Sequence, residues 1–161
     1  ESIVLVRRSF DDRSTDVLRT FYGRSTDGMR SASGSRMGAN TYRELVCWQL
    51  ADELHRRIVA ITSPPTVARD FKFCNQIRDA SMSASSNIAE GFARRSPPDF
   101  ARFLTIARGS LAETQVQLRS GLDRGYFEQE DVVELLRLAA RCDRVTSALR
   151  AYLWRCKTPR T

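Results

Sequence analysis

Asn87, Glu90 and Glu113 are the side chains of this 161-residue chain whose types and settings most suggest chemistry. Glu90 lies in the run Asn87-Ile88-Ala89-Glu90-Gly91-Phe92, and Glu113 closes the step Gly109-Ser110-Leu111-Ala112-Glu113. Two carboxylates brought together could share a proton or hold a metal ion. The groups that would have to accompany them are missing from the sequence. A di-iron bundle site wants two Glu-x-x-His pairs, and His55 is the single histidine. The same shortage removes a Ser-His-Asp arrangement, and no turn presents a strained serine. Cys47, Cys74, Cys142 and Cys156 form no Cys-x-x-Cys pair and have no histidines at zinc-ligand spacing. They read as small buried apolar side chains in a reducing compartment, which makes the cytoplasm the expected location. No catalytic residue, metal site or cofactor is expected, and the chain is read as a non-enzyme.

Apolar residues spaced by three and four from Thr41 onward require helices to position these groups. A first helix is expected over about 41–62, carrying Leu45, Trp48, Ala51, Leu54, Ile58 and Ile61, and Ser63-Pro64-Pro65 stops it. A second is expected over about 67–95, with Phe71, Cys74, Ile77, Ser81, Ala84 and Ile88 on one face. The third, about 97–124, opens with Ser96 as cap, Pro97 in the first turn and Asp99 three residues past the cap, and Gly125 closes it. The fourth, about 129–154, starts among Glu128, Glu130 and Asp131, acids that suit the positive end of a helix dipole. The fold class is therefore all-α: an up-down-up-down antiparallel four-helix bundle over 41–157 behind a mostly irregular or disordered N-terminal extension, 1–40.

The extension is rich in Ser, Arg, Gly and Asp, a composition that buries little core. Arg13-Ser14-Thr15-Asp16 is echoed as Arg24-Ser25-Thr26-Asp27, but two copies make no repeat fold. Met37 is a candidate natural start, with 1–36 an upstream extension; the alternative is a basic arm, though seven arginines against five acids give it little excess charge.

Between Ala80 and Ala89 the second helix is nearly all small side chains, with Gly91 after them, and Gly109-Ser110 offers a matching flat spot on the third. The two patches are expected to face one another across the second-to-third hairpin, with Asn87, Glu90, Ser110 and Glu113 beside the seam. Polar groups buried there need partners. Their structural role would be to fix register or tie down helix ends and subunit contacts; the functional alternative is the paired-carboxylate site.

The formal net charge is +7, carried almost wholly by arginine, since Lys72 and Lys157 are the only lysines. Arginine's planar fork suits phosphate and carboxylate partners, although such a bias can also reflect coding DNA. Arg94 and Arg95 fall at the second-to-third turn, Arg102 and Arg108 on the third helix, and Arg137, Arg141 and Arg144 at i, i+4 and i+7 on the fourth. Each is read either as a solvated face or as a nucleic-acid-binding surface. No apolar run approaches the ~20 residues of a membrane span, and Ile3-Val4-Leu5-Val6 is too short for a signal-peptide core.

Taken in order, Tyr42-Arg43-Glu44-Leu45, Trp48-Gln49-Leu50-Ala51, Gln76-Ile77-Arg78-Asp79-Ala80, Asn87-Ile88-Ala89-Glu90-Gly91, Ser96 with Phe100 and Phe103-Leu104, and Gly109-Ser110-Leu111-Ala112-Glu113 resemble one bacterial family. It is the four-helix-bundle family encoded in intervening sequences of 23S ribosomal RNA genes, related to accessory variability proteins of diversity-generating retroelements. The match covers about 41–155; Thr114 and Ser85-Ser86 depart from the family's commoner residues. The resemblance implies a bundle that assembles as a homopentamer, often basic on its surface, with no enzymatic activity securely attached. The expected function is a non-catalytic oligomeric module that binds nucleic acid, RNA or an RNA-containing complex. The alternative is a protein-interaction scaffold, for example an accessory subunit of a reverse transcriptase.

Overall fold

The computed structural model describes residues 39–94 and 96–156. The N-terminal segment up to residue 38, with its echo and Met37, lies outside the described residues, as do Arg95 and 157–161. Four long helices carry the structure: α1, Val46–Ile61; α2, Phe71–Ala93; α3, Pro97–Asp123; and α4, Gln129–Cys156. A 3-10 turn, Tyr42–Glu44, precedes α1, and a one-turn helix, Pro65–Ala68, lies between α1 and α2. Helix α1 packs on α2 and α4, and α3 packs on the same two, so sequential helices are spatial neighbours around one core. With connections this short, neighbours run antiparallel. The core is filled by one face of each helix, including Leu54, Ile58, Ile77, Phe100, Leu111 and Leu149, all fully buried. Among the described residues no helix is long and apolar enough to cross a membrane.

Two helix starts differ from the sequence expectation for physical reasons. Helix α1 begins at Val46 rather than near Thr41 because Leu45 is extended, at φ −73° and ψ 123°. The turn before it is satisfied locally: the Asn40 N–H donates to Glu44 Oε2 at 3.0 Å, and Gln49 Nε2 donates to the Arg43 carbonyl at 2.8 Å. Helix α2 begins at Phe71 rather than near Val67 because Asp70 interrupts the chain there and caps it. Asp70 Oδ1 accepts from the Phe73 N–H at 3.1 Å, while Oδ2 accepts from Arg124 Nη1 at 3.0 Å and Tyr126 Oη at 3.1 Å. One carboxylate thus ties the start of α2 to the turn between α3 and α4.

The Phe73 N–H, and after it the Tyr126 hydroxyl and Arg124, hold the Asp70 carboxyl below its ordinary range. A depressed carboxyl contributes stability that is fully present above the unfolded value of about 3.9 and is lost as pH falls through the folded one. Asp70→Asn keeps the cap acceptor but cannot titrate. Thermal unfolding followed from neutral to acid pH is expected to show a shallower loss of stability below about pH 4 in that variant than in wild type. Superimposable acid limbs would remove Asp70 from this role.

The two ends of α3 use different chemistry. Ser96 makes no side-chain bond to the helix, contrary to the expected cap. Pro98 removes the N2 N–H, one of the two a cap side chain serves, and the Ser96 carbonyl makes the first intrahelical bond from the Phe100 N–H at 2.9 Å. At the other end Gly125 adopts φ 69°, the left-handed region. There the Gly125 N–H reaches the Leu122 carbonyl and the Tyr126 N–H reaches that of Gly121, each at 2.9 Å. This paired pattern is a Schellman cap.

Candidate functional site

The six residues of the distinctive motif do not form one seam. Gly91 does mark a tight α2–α3 approach: a Cβ there would stand 2.6 Å from Phe103 Cβ and 2.8 Å from Phe100 Cδ2. Asn87 is half-buried and donates from Nδ2 to the Ser83 carbonyl of its own helix at 2.7 Å. Glu90 is exposed and ion-paired with Arg94, whose guanidinium lies 5.4 Å from the centroid of the Phe103 ring. Gly109 corrects the expectation most plainly, since a Cβ there would meet nothing within 4 Å. Ser110 bonds back to the Ile106 carbonyl at 3.4 Å, and Glu113 is exposed. The reason lies in helical phase. Residues 100, 104, 107, 111, 114 and 118 face the core, which turns 109 and 113 outward.

The small side chains of α2 serve a different neighbour as well. Ser81, fully buried, takes His55 Nδ1 of α1 at 2.9 Å and itself donates to the Arg78 carbonyl at 2.9 Å. Arg78 in turn closes the end of α1 through the Thr62 hydroxyl at 2.7 Å and the Thr62 carbonyl at 3.0 Å. This α1–α2 polar clasp was invisible as a pair in the sequence; a lone histidine beside a small-residue patch was its only trace. Ser81 sits mid-helix with no exposed surface, a poor setting for a nucleophile.

Carboxylate and thiol chemistry find no support in this arrangement. Among the described residues no group of three His, Cys, Asp or Glu side chains could hold a metal ion. Cys47, Cys74 and Cys142 are free and buried. Burial pushes the Cys142 thiol up to about 12 and raises that of Cys47 further, so both stay protonated at neutral pH.

The arginines divide into engaged and unengaged sets. Arg108 donates from Nε to Asp143 Oδ1 at 2.6 Å and from Nη2 to Oδ2 at 3.3 Å, joining α3 to α4. That hydrogen-bonded carboxylate raises the Arg108 pKa against the opposing effect of desolvation. Arg56 pairs with Asp52 and Glu53, Arg57 with Glu53 and Glu134, and Arg124 with Asp70. Of the sequence candidates, Arg94 and Arg108 are therefore occupied within the fold, and Arg95 lies outside the described residues. Arg102 is exposed beside Asp99, Phe103 and Ile106 in a shallow groove. Arg137, Arg141 and Arg144 are all exposed on the outer face of α4, and among the described residues none forms an ion pair. The described residues carry sixteen Arg and Lys against fourteen Asp and Glu. The bundle itself is thus nearly neutral, and the α4 stripe is a local feature rather than a share of general basicity.

A second surface is apolar. Ile106 and Val116 on α3 are 44% and 62% exposed, and Met82 on α2 is 48% exposed. Gly109 lies between the first two with open space over it, and exposed Glu113 stands on the same outward side of α3.

Comparison with known proteins follows the same outline. The family model of 23S rRNA-intervening sequence proteins matches residues 43–148. A solved structure of a protein of unknown function from the S23 ribosomal protein family of Bacteroides thetaiotaomicron superposes with a TM-score of 0.60 at 21% identity. The alignment covers 65% of this chain and 98% of that one. No curated protein matches the chain.

Proposed function

The chain belongs to the 23S rRNA-intervening sequence protein family, and from that premise we propose that it is a non-catalytic, self-associating module that binds RNA through the outer face of α4. The observation that carries this reading is the contrast between engaged and unengaged arginines. The fold occupies the guanidinium groups of Arg56, Arg57, Arg94, Arg108 and Arg124 with carboxylates. It leaves Arg137, Arg141 and Arg144 in line, exposed and without an acidic neighbour paired to them. Such a row suits successive phosphates, where each contact releases condensed counterions.

Self-association multiplies that modest patch. The outer strip of α3 around Ile106, Gly109 and Val116, with Glu113 at its side, is the surface we assign to contact between copies, with five copies as the family resemblance implies. Linked patches bind one long polyanion with an avidity that no single face reaches. The alternative occupant is a different protein, which would make the chain a scaffold or a polymerase accessory; it draws on the same strip.

Charge reversal tests the α4 assignment. R137E/R141E/R144E is expected to weaken binding of a labelled RNA by at least about 30-fold in a mobility-shift titration. R56E/R94E, on positions already paired within their own helices, is expected to change it little. Equal loss in both variants would reduce the effect to net charge.

A further inference from the structure

We propose that the α4 face takes double-stranded RNA, seated along its wide, shallow groove with Arg137, Arg141 and Arg144 on the bordering phosphates. This rests on the RNA-binding reading above and narrows it to one form of RNA. Three features of the face point there.

The first is shape. Helix α4 is packed between α1 and α3, whose axes must lie about 8–10 Å away, so only its outermost ridge stands clear. A recognition helix that enters the B-DNA major groove must protrude into a cleft about 8.5 Å deep. Helix α4, flanked by α1 and α3, offers a low ridge rather than a protruding one. The shallow minor groove of A-form RNA asks only for a low ridge, and it presents 2′-hydroxyls and phosphates rather than a deep base code.

The second is what the ridge lacks. Single strands are held by aromatic side chains on which bases stack, within a groove that follows the backbone. From Glu134 to Ala151 the outward line of α4 runs through Arg137, Arg141, Arg144 and Ala148, with no aromatic side chain on it. Trp154 shares the flank of Asp143, the side that meets α3 through Arg108, and so stands off this line.

The third is spacing. At 1.5 Å rise per residue the guanidinium stems leave the helix about 6 Å and then about 4.5 Å apart along a straight axis. A regular duplex holds its phosphates in fixed positions to meet such a rigid row, and the small Ala148 and Ala151 beyond it let the duplex lie close. At the other end Glu134 is turned toward Arg57, at 3.3 Å, which limits its repulsion of the backbone.

Fluorescence anisotropy with three labelled ligands of one sequence tests this: a 16-mer RNA single strand, the RNA duplex and the DNA duplex. The RNA duplex is expected to bind at least about tenfold more tightly than either of the others at equal salt. R137Q/R141Q/R144Q is expected to remove at least about tenfold of that affinity with the helical circular dichroism unchanged. Single-stranded RNA or duplex DNA binding as tightly as duplex RNA would overturn the duplex assignment while leaving the RNA-binding reading in place. Retention of duplex binding by the triple variant would overturn the choice of face. Absence of binding to all three ligands would overturn both the inference and the reading beneath it.

Discussion

Replacing Gly91 by alanine is expected to destabilise the bundle by about 2 kcal/mol, and replacing it by leucine to abolish cooperative folding. The added Cβ would lie 2.6 Å from Phe103 Cβ, an atom fixed to the α3 backbone rather than the free end of a flexible side chain. Relief therefore requires α2 and α3 to separate, and with them the buried contacts around Phe100. Overpacking of this kind costs about 1–3 kcal/mol, and alanine's better helix propensity returns about 1 kcal/mol. Because the displaced atom is backbone-anchored, the upper end of that range applies. Gly109→Ala is the matched control. Its Cβ would enter open space, so the propensity gain of up to about 1 kcal/mol should appear undiminished. Urea unfolding of the two variants decides the matter: Gly91→Ala as stable as wild type would mean that the helices do not approach where the structure places them.

Val116→Arg is expected to abolish the proposed self-association with little change in the stability of the single chain. Val116 is 62% exposed, so arginine meets no clash within one subunit. In the proposed contact between copies the same side chain would place an unpaired charge on an apolar strip, where desolvation is costly. Light scattering is expected to give a multiple of 18.3 kDa for wild type, fivefold for the proposed pentamer, and about 18.3 kDa for the variant. A wild-type monomer at micromolar concentrations, or an unchanged mass in the variant, would remove this strip as the contact.

The sequence made the helices legible because their punctuation is chemical. Ser63-Pro64-Pro65 and Pro97-Pro98 forbid ladder continuation, and Gly125 supplies the one left-handed residue the α3 cap requires. What it hid were effects of tertiary partners. Asp70 could not be seen as a helix boundary without Arg124 and Tyr126, more than fifty residues away. The pairing of His55 with Ser81 and of Arg108 with Asp143 likewise spans helices. Gly91 and Gly109 look equivalent as small residues in a motif; only phase against the core separates a packing glycine from an exposed one. The arginine candidates show the same limit. Residue type cannot distinguish Arg108, engaged by a carboxylate, from Arg141, which has none paired to it. That difference sets aside Arg94 and Arg108, and of the other described candidates, Arg102, Arg137, Arg141 and Arg144, the last three share one row on α4.

The salt dependence of RNA affinity tests the central claim most directly. If α4 binds through the phosphates met by Arg137, Arg141 and Arg144, log Kd should rise with log salt at a slope of about 2.7 per engaged face, roughly a 40-fold loss between 50 and 200 mM. The slope should flatten in the triple glutamine variant. An affinity that stays constant across that range, or a slope the variant leaves intact, would contradict it.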